Sequence, residues 1–138
     1  MYLVDTNIWL ESLLDQERAS EVSQFLSLVK STELCLTDFA VHSIGISLFR
    51  LGKPELWPSF LQDLFIEGGA HLLHLEAEDG PQIAAVARQH GLDFDDAYQY
   101  AAAERYDLVL VSFDSHFDGT PRGRSTPAAV CGGASTAP

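Results

Sequence analysis

The sequence predicts a three-layer α/β sandwich, with a central, mostly parallel sheet of four to five strands flanked by helices. Three observations carry that expectation. Short apolar runs of strand type alternate with longer stretches whose apolar residues recur at helical spacing, and Gly, Pro or polar breaks divide them. Helical stretches stand between successive strand-type runs, as right-handed crossovers between parallel strands require. Acidic residues follow three of those runs, so the fold would gather them along the edge where open α/β sheets bind ligands.

In chain order, Leu3 and Val4 make the first strand, Asp5-Thr6-Asn7 turns the chain, and residues 8–14 carry apolar side chains at helical spacing. A second helix is expected over 20–30, with Ser20 as N-cap and Val22, Phe25, Leu26 and Val29 on one face. Residues 33–36 read as a short strand. Thr37-Asp38 then offers capping oxygens to a helix reaching residue 51, with Val41, Ile44, Leu48 and Leu51 as its buried stripe, and Gly52-Lys53-Pro54 ends it. Another apolar helix is expected over 55–67, closed by Gly68-Gly69, and a third strand over 71–75. Gly80-Pro81 opens a helix through residue 88, packed by Ile83, Ala84, Val86 and Ala87 and broken at Gly91. Phe94-Asp95-Asp96-Ala97 starts an alanine-rich helix to residue 106. Leu108-Val109-Leu110-Val111 is the clearest strand and delivers Ser112-Phe113-Asp114. One domain is expected over 1–130, with residues 131–138 as a tail without fixed structure, since Gly, Ala, Ser and Thr dominate there.

A chain of 138 residues, 46% hydrophobic and 20% charged, suits one domain with a real core and excludes a disordered or fibrous protein. No apolar run approaches the roughly 18 residues of a spanning helix, and the N-terminus has no basic stretch with a cleavage site, so a cytoplasmic protein without membrane contact is expected. Cys35 and Cys131 have no metal-ligand spacing and read as ordinary thiols. The net charge of −12 works against a nucleic-acid partner. Carboxylates clustered around divalent cations would reverse the field locally and draw phosphate to an acidic protein.

Asp5 follows the first strand, Asp38 the second and Asp114 the fourth, while Asp96 sits in the first turn of a helix that can point at the same edge. Converging there, these carboxylates would repel one another unless cations bound, and oxygen-only ligands favour Mg²⁺ or Mn²⁺ over zinc. Plainer roles exist for their neighbours. Asp93 and Asp95 suit helix capping, and Asp118 is either a supporting carboxylate or a solvated residue. His71, His74, His90 and His116 show no ligand spacing and read as structural or exposed, Trp9 and Trp57 as core or partner surface, and Arg122 and Arg124 as loop charges.

Val4-Asp5-Thr6-Asn7-Ile8-Trp9-Leu10 resembles the opening of PIN-domain ribonucleases, in particular the VapC-type toxins of bacterial toxin-antitoxin pairs. Phe94-Asp95-Asp96-Ala97 with its alanine-rich helix is similar to that family's third acidic motif, and Leu110 through Phe117 to its last, where a small hydroxyl residue precedes the acid by two. The resemblance runs from Met1 to about Val130 and implies a PIN-like sandwich. It also implies that Asp5, Asp96 and Asp114 are catalytic and bind Mg²⁺ or Mn²⁺, that Thr6, Asn7 and Ser112 orient those carboxylates, and that the reaction is hydrolysis of RNA phosphodiesters. The implied partners are RNA, a small antitoxin inserting a segment into the acidic crevice, and a second copy in a homodimer.

One position departs from the pattern. The family places a glutamate early in the helix after the second strand, and aligning Thr37-Asp38-Phe39-Ala40-Val41-His42 puts His42 there. Asp38 and His42 would share a helix face, so Asp38 could supply the carboxylate or His42 a nitrogen. The alternative is a degenerate PIN domain that binds RNA or protein with little or no cleavage. A small-molecule phosphohydrolase fits less well, because its nucleophile motif needs an aspartate where Asn7 stands.

Overall fold

A computed structural model describes residues 1–136. Four strands, β1 (Tyr2–Val4), β2 (Leu34–Thr37), β3 (His71–Leu73) and β4 (Val109–Val111), form one sheet in the order β3-β2-β1-β4, and all three pairings are parallel. Seven helices flank it among the described residues: α1 (Thr6–Leu13), α2 (Ala19–Leu28), α3 (Asp38–Arg50), α4 (Leu56–Leu61), α5 (Gly80–His90), α6 (Phe94–Tyr106) and α7 (Pro127–Thr136). The three-layer sandwich is as the sequence predicts. The return segment after β4 adds one parallel bridge, Val111 to Ser125, along the outer edge of β4.

Strand alternation divides the core in two, because successive side chains of a strand point to opposite faces. Val4, Leu34, Leu36 and Val111 join Ile8, Trp9, Val22, Phe25 and Ile44 beneath α1 to α4. Leu3, Cys35 and Leu110 point the other way, against Val86, Ala97, Tyr100 and Phe117 beneath α5 and α6. The central strands β1 and β2 are therefore covered on both faces, which is why they read as apolar runs, whereas the edge strand β3 leaves His71 and Leu72 exposed. Small alanines let α6 lie close on the sheet, and Ala97, Ala101, Ala102 and Ala103 are all buried.

Several local features differ from expectation. Helix α2 begins at Ala19 after Arg18, whose side chain makes no cap, so Ser20 lies inside the first turn. Helix α4 is followed by a widened π turn over Gln62–Glu67, closed by the Gly68 N–H on the Asp63 carbonyl at 3.0 Å. Only glycine fits at 68, where a Cβ would stand 2.7 Å from the Leu64 carbonyl oxygen. Helix α7 spans Pro127–Thr136 and so runs from the expected domain into residues 131–136 of the stretch expected as a tail without fixed structure. Residues 137–138 of that tail lie outside the described residues. At the junction of α3 and α4, Gly45 lies under the Trp57 indole, whose Nε1 donates to the Val41 carbonyl at 3.1 Å.

The chain leaves β1 toward β2 and β3 on one side, then crosses back to place β4 on the other side of β1. The carboxyl ends of β1 and β4 thus flank the point where the connections diverge, and a crevice opens there.

Candidate metal centre

Asp5 caps β1 and starts α1. Its backbone N–H extends the sheet by bonding the Val111 carbonyl at 2.9 Å, and its Oδ1 accepts the Thr6 N–H at 2.9 Å. The carboxylate is buried, and two further donors hold it: the Ser112 hydroxyl reaches Oδ2 at 2.8 Å and the Gln99 amide reaches Oδ1 at 3.1 Å. Ser112 is completely buried, and its oxygen also accepts the Asp114 N–H at 2.9 Å and the Asn7 amide at 3.3 Å. Asn7 in turn accepts the Phe113 N–H at 3.2 Å. One hydroxyl thereby ties the turn after β1 to the turn after β4.

Asp96 enters from α6. Asp93 caps that helix by accepting the Asp96 N–H at 3.0 Å, the role expected of it, and this aims the Asp96 side chain into the crevice. Asp5, Asp95, Asp96 and Asp114 line one cavity of about 210 Å³ together with Thr6, Asn7, Phe39, Ser43 and Gln99. Burial pushes the Asp5 carboxyl up despite the Ser112, Gln99 and Thr6 donors, and the charge of Asp114 adds to the rise. Asp96 is pushed up to about 6, chiefly by burial and then by Asp114, Asp93 and Asp5, against the opposing hydrogen bond from His116.

The structure brings Asp5, Asp96, Asp114, Thr6, Asn7 and Ser112 together, and it leaves three other candidates outside. His42 is exposed and lines a separate apolar groove of about 670 Å³ with Gly45, Ile46, Phe49, Arg50 and Trp57. Ser43, one position on, lines the cavity with the carboxylates, as does Phe39 one turn earlier on α3. Asp38 turns from the cavity to accept the Phe39 N–H and the Tyr98 hydroxyl, each at 2.8 Å. Asp118 is exposed and pairs with Arg124 at 2.8 and 3.1 Å, which holds its carboxyl below the ordinary range.

Three residues that the sequence reading passed over do take part. Gln99, fully buried on α6, links Asp5 to the Thr37 hydroxyl, which donates to Gln99 Oε1 at 2.6 Å. Arg124 is no idle loop charge, since its Nη1 donates to the Ser112 carbonyl at 3.2 Å and braces the β4 turn. The Nδ1 of His116 lies 3.2 Å from Asp96 Oδ2 and 3.1 Å from Asp114 Oδ1. Asp96, Asp114 and His116 form a group that could hold a metal ion, with ligand atoms all within 4.8 Å of one another. The only sequence signal for His116 is its place two residues after Asp114.

Two consequences are measurable. Gln99→Leu leaves the Thr37 hydroxyl without its acceptor and Asp5 short of a donor, at an expected cost of ~1–3 kcal/mol in urea unfolding. An unchanged midpoint would show the bridge to be inert. The second concerns pH. Because the folded pKa of Asp96 is raised from 3.8 to about 6, the folded state binds the extra proton, so its contribution to stability is complete below about 3.8 and lost as pH rises through 6. His116 adds in the same direction at higher pH, since its pKa is raised by the Asp96 hydrogen bond and by Asp114. In EDTA, stability should fall between pH 4 and 7, and Asp96→Asn should remove the part of the fall below pH 6. A profile identical in the two proteins would refute this origin.

A PIN domain family model matches residues 2–123. No curated protein matches the chain. Among solved structures, similar ones include a toxin-antitoxin complex from Klebsiella pneumoniae at 20% identity and TM-score 0.73, covering 92% of this chain and 98% of that one. FitAcB from Neisseria gonorrhoeae is similar at 23% identity and TM-score 0.73, with the same coverage. VapC20 from Mycobacterium tuberculosis, described as a Sarcin-Ricin loop cleaving toxin, is similar at 16% identity and TM-score 0.73, over 91% and 97% of the two chains. With the family match spanning nearly its whole length, this chain belongs to the PIN-domain family.

Proposed function

We propose that the protein is a metal-dependent endoribonuclease and the toxin of a type II toxin-antitoxin pair. The observation that carries this reading is the convergence of Asp5, Asp96 and Asp114, from three distant parts of the chain, on one small cavity braced by Ser112, Asn7 and Gln99. Carboxylate donors gathered in one cavity fit a hard divalent cation, Mg²⁺ or Mn²⁺, and the burial that raises the Asp5 carboxyl is what such an ion would relieve. When bound, the ion acidifies water for in-line attack on phosphorus and offsets charge on the departing oxygen. The chain's own residues keep the carboxylates in place. Thr6 and Gln99 fix one oxygen of Asp5, Ser112 fixes the other, and the Asp93 cap sets Asp96. The ion also answers the electrostatic objection, because the field at the crevice then favours a phosphate backbone that the −12 chain would otherwise repel.

Several observations support a protein partner. Solved relatives include toxin-antitoxin complexes. A cavity of about 490 Å³ between α1, α2 and α4 is lined by Trp9, Leu26, Phe60 and Asp63, and the buried Trp9 Nε1 has no hydrogen-bond partner among the described residues. A docked apolar segment could fill that cavity, and an arginine reaching the acidic crevice would pair with its carboxylates. Ile46, Phe49 and Leu51, all more than half exposed, offer apolar surface for a homodimer.

The test is cleavage of a mixed RNA pool by protein freed of any co-purifying partner, with Mn²⁺ or Mg²⁺ against EDTA. Metal-dependent cleavage is expected. Folded, partner-free protein that leaves the RNA intact in both metals would instead support a degenerate PIN domain acting as a binding module. Ser43 favours that second reading, since a hydroxyl faces the carboxylates from α3 where a fourth acid could have stood.

A further inference from the structure

We propose that His116 is a nitrogen ligand of this centre and makes it select Mn²⁺ ahead of Mg²⁺. The inference rests on the metal-site reading above and assigns to it a residue that the carboxylate pattern does not contain.

Without an ion His116 pairs with Asp96 and Asp114, and the spacing of that pairing is also the spacing of donors that share one ion. Ligand atoms each about 2.1 Å from a common ion stand about 3 Å apart when adjacent in its coordination sphere. The His116 Nδ1 stands 3.2 Å from Asp96 Oδ2 and 3.1 Å from Asp114 Oδ1. Although the side chain is 70% exposed, its backbone is fixed. The His116 N–H donates to Asp114 Oδ1 at 2.8 Å, which starts the 3-10 turn over Ser115–Gly119. The next residue, Phe117, is completely buried, and its carbonyl accepts the Thr120 hydroxyl at 2.6 Å. The imidazole is thus carried on the same rigid turn that carries Asp114.

Ser43 supplies the complementary half of the argument. With a hydroxyl on the α3 wall, the cavity offers one strong anionic ligand fewer from that side. His116 approaches from the β4 side and replaces oxygen by nitrogen in the set. Mg²⁺ demands oxygen and sheds water reluctantly, whereas first-row transition ions accept imidazole, Mn²⁺ least strongly of that series. The Asp96 and Asp114 carboxylates with one imidazole, beside Asp5, therefore favour Mn²⁺ over Mg²⁺.

The experiment is pulsed EPR on the full chain loaded with Mn²⁺, paired with calorimetric titration of Mn²⁺ and Mg²⁺ into the wild type, His116→Ala and Asp5→Asn. Wild type should show nitrogen hyperfine coupling of a directly bound imidazole. His116→Ala should lose that coupling and bind Mn²⁺ about tenfold more weakly with little change for Mg²⁺, and its unfolding midpoint in EDTA reports whether it has folded. Should Mn²⁺ bind in an Asp5-dependent way with no nitrogen coupling, or with coupling that survives in His116→Ala, this proposal is overturned while the metal centre stands. If the wild type binds neither ion, both fall together.

Discussion

Asp5→Asn should cut metal-dependent cleavage by on the order of 10²–10³-fold, the scale of removing one electrostatic stabiliser at a reacting centre, while unfolding in EDTA at the same urea concentration as the wild type or a higher one. The two halves of that result have one cause. Burial raises the Asp5 carboxyl above its ordinary pKa even with three donors around it, so its ionised form strains the fold. An asparagine has the same shape and keeps an oxygen for the Thr6 N–H and the Gln99 amide. Its new amide faces the Ser112 hydroxyl, which already accepts from Asp114 and Asn7, so the relief is partial rather than complete. Lost activity with retained stability would mark Asp5 as kept for chemistry at the expense of the fold. If stability drops alongside activity, Asp5 is primarily a structural cap and the nuclease argument loses its centre.

Ser43→Glu is expected to act in the opposite sense. Its side chain already faces the cavity, so a carboxylate there adds a fourth anionic ligand to the three present. Binding of either divalent ion should tighten tenfold or more, with Mg²⁺ gaining most because the added donor is oxygen. Cleavage should rise, and stability in EDTA should fall, since another buried charge joins an already crowded group. The matched control is His42→Glu, whose position opens onto the apolar groove beside Trp57 and should leave metal binding unchanged. Calorimetry on the two variants decides the matter. Were His42→Glu the one that tightened binding, the orientation of α3 described above would be wrong.

That pair also shows where the sequence stopped being legible. Short apolar strands and acids at strand ends follow from composition and position, so the sheet, the order of elements and the gathering of Asp5, Asp96 and Asp114 could all be anticipated. Which residue of α3 faces the crevice could not, because an error of one position turns a helical side chain by about 100°. Aligning the segment to the family's glutamate put His42 at that place, whereas Ser43 is the residue that lines the cavity. Gln99 was hidden for a different reason. A glutamine in an alanine-rich helix has no local signature, and its partners Thr37 and Asp5 are brought to it only by the tertiary fold. His116 likewise gains significance from Asp96, which approaches on a different element. The π turn after α4 depends on a close approach at Gly68 that no periodicity records.

The pairing of the first strand with the last gives the site a place in time as well as in space. Residues 5 and 112 are joined by a hydrogen bond that spans 107 positions, and β4 is the last strand of the sheet to be synthesised. While the chain is still growing, Asp5 has no Ser112, the crevice has no Asp114, and β1 has one open flank. Contacts of such long sequence separation form late in folding. A chain stalled or cut before residue 109 carries two of the three acids and no centre. On the ribonuclease reading proposed above, the ribosome that makes the chain handles an inert polypeptide until synthesis is nearly complete.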